Sequence, residues 1–67
     1  MTTSEKEKFI KETAKKFMEE IKEKGYIKFS QIEEKCSFKG NIKYNMVKSI
    51  QWIISQYYDL NKVIIEN

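Results

Sequence analysis

The chain has 67 residues, 40% apolar and 34% charged, with thirteen basic residues against ten acids and a net charge of +3. A chain this short makes one domain and hides only about 60% of the surface its unfolded form exposes. That excludes a separate substrate domain or a deep pocket with several layers of wall. No apolar run approaches the ~18 residues of a membrane span, and the N-terminus lacks the apolar stretch of a secretory leader. The lone Cys36 rules out an internal disulfide and fits a reducing compartment. Residues 1–67 are therefore expected to form a single cytoplasmic domain, with residues 1–4 disordered.

Ser4-Glu5-Lys6-Glu7 has the pattern of a capping box and opens the first helix. Ile10, Ala14, Phe17, Met18 and Ile21 follow at three- and four-residue spacing, and Gly25 is placed to stop the helix. Its outer face pairs Glu7 with Lys11, Glu12 with Lys16 and Glu20 with Lys24, each four apart. Tyr26, Ile27 and Phe29 are strand formers, so residues 26–29 are expected to be a short strand. Ser30-Gln31-Ile32-Glu33 repeats the capping pattern and starts a brief helix reaching about Cys36. Residues 37–40 form a turn, and Asn41 is a candidate N-cap for a third helix over 42–60.

At about 100° per residue, Ile42, Met46, Val47, Ile50, Ile53, Ile54 and Tyr57 share one apolar stripe of that helix. Asn61 is expected to take the left-handed position that ends it. Residues 62–66 then form a second strand, paired with the first and leaning on the helices for support. The expected fold is mainly α, a three-helix core with a two-stranded sheet.

Ile32, Cys36 and Phe38 have the spacing of the apolar positions in the first helix and turn of a helix-turn-helix. Val47, Ile50 and Ile54 look like the buried face of its second helix. With the order helix, strand, helix, turn, helix, strand, residues 9–65 resemble the winged-helix branch of the helix-turn-helix DNA-binding superfamily. The resemblance implies a helix-turn-helix core with a reduced or absent wing, and a third helix that lies against DNA.

Between Glu34 and Asp59 there is no acidic residue. Binding duplex DNA requires cations to displace counterions from phosphates and amide side chains to read base edges. Asn41, Asn45, Lys48 and Gln51 are the candidates for the groove, and Lys35, Lys39 and Lys43 for phosphates. Asparagine and glutamine suit adenine, and the chain has no arginine to fork onto guanine, so A·T-rich sites are favoured. Two half-sites add their binding energy, which points to a homodimer. The same face can also be a solvated surface in a lysine-rich chain.

Trp52, the sole tryptophan, falls nearly opposite the apolar stripe, beside Asn41, Asn45, Lys48 and Ser55. It is either core covered from a second side or the anchor of an interface with Tyr44 and Tyr58. Its polar surroundings favour the interface. The alternative function is accordingly a protein-binding adaptor or small inhibitor that docks a partner through Trp52, Tyr44 and Tyr58. Cys36 is expected to be a small buried hydrophobe. With no histidine, no second cysteine and no glycine-rich phosphate loop, the sequence offers no catalytic set, metal site or cofactor.

Overall fold

A computed structural model describes residues 3–66. They run in the order α1 (Thr3–Lys24), β1 (Ile27–Lys28), α2 (Phe29–Lys35), α3 (Gly40–Ser55), α4 (Leu60–Val63) and β2 (Ile64–Ile65). The architecture is mainly helical with a small two-stranded sheet. Of the four residues expected to be disordered, Met1 and Thr2 lie outside the described residues, while Thr3 and Ser4 are already helical. No helix among the described residues is long and apolar enough to cross a membrane.

α1 buries the stripe its spacing predicts: Ala14, Phe17 and Ile21 are in the core, with Ile10 and Met18 at its margin. Gly25 ends the helix at φ +90°, and its N–H bonds the Ile21 carbonyl at 2.7 Å. A side chain there would meet the steric penalty of the left-handed region.

The strand after Gly25 is shorter than expected. Tyr26 lies outside it, and Phe29 is already the first residue of α2. The reason is a cap at Lys28, two residues upstream of Ser30. The Lys28 N–H donates to Gln31 Oε1 at 2.8 Å, and this starts the helix before the Ser30 pattern can act. The same Gln31 amide donates through Nε2 to Glu20 Oε2 at 2.8 Å, which pins α2 to α1.

α3 also begins early. Gly40, at φ +63°, is its first residue and Lys39 is its N-cap, so Asn41 sits within the first turn and not at the cap. The helix stops at Ser55 and does not continue to residue 60. Bonds tighten to the three-residue kind there, from the Gln56 N–H to the Ile53 carbonyl and from the Tyr57 N–H to the Ile54 carbonyl. The Trp52 carbonyl accepts from Ser55 Oγ and Gln56 Nε2. Leaving the helix at this point carries Tyr57 off the stripe, and it is 71% exposed. Ile42, at the other end of the stripe, is also exposed because the first turn of α3 overhangs the core.

Asn61 does not terminate a helix but lies inside a new one. Asp59 Oδ1 accepts from the Asn61 N–H at 3.0 Å, and the Asp59 carbonyl accepts from Lys62 and Val63. An aspartate cap of this kind nucleates α4 and confines β2 to Ile64–Ile65. The strands pair in parallel, Ile27 with Ile64 and Lys28 with Ile65. A parallel pair needs a long crossover, here supplied by α2, α3 and α4.

The core joins Ala14, Phe17 and Ile21 of α1 to Ile27, Ile32, Cys36, Val63 and the α3 stripe Met46, Val47, Ile50 and Ile54. Phe9 of α1 meets Phe38 of the α2–α3 turn edge to face, with ring centroids 6.1 Å apart. Ile50 has no exposed surface and sits mid-way along α3. Ile50→Ala is expected to cost roughly 2–5 kcal/mol, a large share of what so small a domain has. Thermal and urea unfolding will measure it.

Candidate functional site

The elements around the candidate face are α2, the turn over residues 36–39, and α3. Ile32 and Cys36 plug the underside of the turn into the core, and Phe38 is held by Phe9. The turn therefore presents Lys35 and Lys39 outward, both exposed. Among the described residues there is no antiparallel hairpin to serve as a wing.

Along α3, Asn41, Asn45, Lys48 and Trp52 follow at spacings of four, three and four, so they form one line on the helix surface. All four are exposed, and Trp52 is 65% exposed. The line runs roughly 16 Å at 1.5 Å per residue. Trp52 is thus a surface residue of this chain and not part of its core. Tyr44 flanks the line at 58% exposure, with Lys48 Nζ 5.1 Å from its ring centroid. A hydrogen bond to the Tyr44 phenol, and next its electrostatic pull, hold the Lys48 pKa above the ordinary lysine value, so the ammonium stays charged.

Besides the turn residues Lys35 and Lys39 and the flanking Tyr44, three of the expected site residues lie off this line. Gln51 is half-buried on the flank of the core stripe. Lys43 is half-buried one turn before Val47, and its charge is felt at the Cys36 thiol. Tyr58 is half-buried against the core, so it does not complete an aromatic patch with Tyr44 and Trp52. Helical position explains the first two: both fall nearer the buried side of α3 than the outer side.

Sequence reasoning missed a concave feature beside the line. A hollow of about 380 Å³ lies between α1 and α3, lined by Glu7, Ile10, Lys11, Ser49, Trp52 and Ile53. A smaller one of about 140 Å³ is lined by Lys6, Ile10, Ile42, Asn45, Met46 and Ser49. They share Ile10 and Ser49 and so form one trough. The available signal was that Ile42 and Ile53 lie on the edge of the apolar stripe, not at its centre.

No group of three or more histidine, cysteine, aspartate or glutamate side chains among the described residues could hold a metal ion. Comparison with protein-family models, curated proteins and solved structures finds no match.

Cys36 is buried, and burial pushes its thiol pKa up while Lys43 pulls it partly back. In the unfolded chain the thiol ionises at its ordinary value, and in the folded chain it stays protonated to higher pH. The stabilisation is therefore fully present below the ordinary thiol range and is lost as pH rises through and beyond it. The urea midpoint is expected to fall more steeply above about pH 8.5 for the native sequence than for Cys36→Ala. At neutral pH, alkylation of Cys36 should require unfolding.

Proposed function

We propose that this chain is a non-enzymatic DNA-binding regulator that lays α3 against duplex DNA. The observation carrying the proposal is the exposed, acid-free line Asn41, Asn45 and Lys48, flanked by Lys35 and Lys39 at the preceding turn. Its side chains match the needs of a duplex: amides for adenine edges, ammonium groups for phosphates. A line of roughly 16 Å spans several base pairs, which suits one half-site. In this reading Asn41 and Asn45 read bases and Lys35, Lys39 and Lys48 neutralise phosphates. Gln51 and Lys43 take supporting places at the edge, as their half-burial suggests. The preferred sites are A·T-rich, the active form is a homodimer on two half-sites, and the chain acts in the cytoplasm.

The helix-turn-helix resemblance supports this reading through α2, its four-residue turn and α3, with no wing among the described residues. The second reading, a protein-binding adaptor or inhibitor, is favoured by a separate observation: the 65% exposure of Trp52 beside the trough.

A salt titration of duplex binding tests the proposal, since log affinity should fall with log salt by about 0.9 for every phosphate neutralised. Absence of binding at low salt would overturn it. Lys48→Ala should weaken all duplexes alike and flatten that slope by roughly one unit. Asn45→Ala should cost about 1–3 kcal/mol on a preferred site and little on random DNA. Fluorescence anisotropy with labelled duplexes reads both.

A further inference from the structure

We infer that the trough between α1 and α3 is a docking site for an acidic amphipathic helix of another protein. The inference deepens the adaptor reading and does not depend on DNA binding. Shape is the first support. The two hollows meet at Ile10 and Ser49, and the trough follows α3 from Ile42 to Ile53, roughly 16 Å. That length takes about three turns of a docked helix, with side chains at three- and four-residue spacing reaching the apolar floor. Trp52 stands at the rim as a large, exposed anchor, the residue type enriched at binding hot spots.

Charge decides the occupant. The α3 wall carries no acid, and the α1 wall sets Lys6 and Lys11 against Glu7. Lys48, one turn from Trp52 on the outer face of α3, adds a further cation near that rim residue. A helix with an apolar stripe bordered by glutamate or aspartate complements these walls. A second copy of this chain does not, because the apolar stripes of its own long helices, α1 and α3, are already buried in the core. Two copies meeting trough to trough would also set Lys6 and Lys11 of one against the same lysines of the other, with only Glu7 to offset them. Duplex DNA has no apolar ridge to fill a concave apolar floor.

The test uses the full chain and a synthetic helical peptide of about fifteen residues, with leucines at i, i+4, i+7 and i+11 and glutamates between them. Trp52 emission should shift to the blue saturably as peptide is added, while circular dichroism shows the chain folded throughout. Followed by anisotropy of a labelled peptide, Lys11→Glu should weaken binding about tenfold through like-charge contact. Trp52→Ala should weaken it roughly thirtyfold while leaving the melting temperature nearly unchanged, since Trp52 lies outside the core. Equal binding of a scrambled peptide of the same composition would overturn the inference. So would no saturable shift up to about 1 mM peptide, where affinity is already negligible. A blue shift on concentrating the chain alone would assign the trough to a second copy, and a duplex whose affinity falls with Lys11→Glu as the peptide's does would assign it to nucleic acid; either result overturns the inference.

Discussion

The packing of α1 along α3 is the constraint from which the rest of the molecule follows. These two helices touch more extensively than any other pair of elements. Ala14 has no exposed surface, and as the smallest side chain of the α1 stripe it lets the backbones approach where Phe17 and Ile21 fill the space beyond. On the α3 side Met46, Val47, Ile50 and Ile54 complete the layer. Once that face is buried, the opposite face of α3 must be the solvent face. The placement of Asn41, Asn45, Lys48 and Trp52 is therefore a result of core packing and not an independent feature. The trough has the same origin, since it opens where the two helices no longer bury their flanks against each other.

How far this could be read from residues depends on the length over which a signal accumulates. The stripes of α1 and α3 repeat over several turns, and every core residue they contribute was legible. Gly25 was legible too, because a glycine after a periodic run has few other roles. Signals spread over one or two residues were not resolved. Ser30 and Gln31 offer competing helix starts, and the tertiary bond from Gln31 to Glu20 favours the earlier one. Gly40 reads as a turn residue, yet it opens α3 at φ +63°. Asp59 caps α4 two residues before Asn61, the residue whose type points more strongly to a helix end. A strand pair two residues long has no alternation from which its direction could be inferred. The face carrying the candidate site was legible by angle alone. The trough was not, because it belongs to two helices whose lining residues lie some forty positions apart.

Lysine as the exclusive cation shapes what this surface can do. An ammonium group is a compact, strongly hydrated point charge on a flexible stem, and it meets a phosphate or a carboxylate with little demand on geometry. Selectivity must then come from groups with directional bonds or fixed shape. On this face those are the amides of Asn41 and Asn45 and the indole of Trp52. The Tyr44 ring beneath Lys48 restricts the one lysine that sits on the line itself. In the proposed reading, charge would bring a partner near, and the neighbouring amide and aromatic groups would determine which partner remains.

The last segment of the fold carries a kinetic consequence. α4 is a single turn held by the Asp59 cap, and β2 has two residues on the edge of a sheet. Few buried groups tie this segment down beyond Val63 and the Ile27–Ile64 pairing. Local opening free energies scale with such ties, so amide protons over 60–65 should exchange with solvent well ahead of those in the middle of α3. Opening of this end would uncover Ile27 and withdraw Val63, while the side chains that α1 and α3 bury against each other stay in place. The surface of α3 can thus hold its shape through excursions that transiently dissolve the sheet.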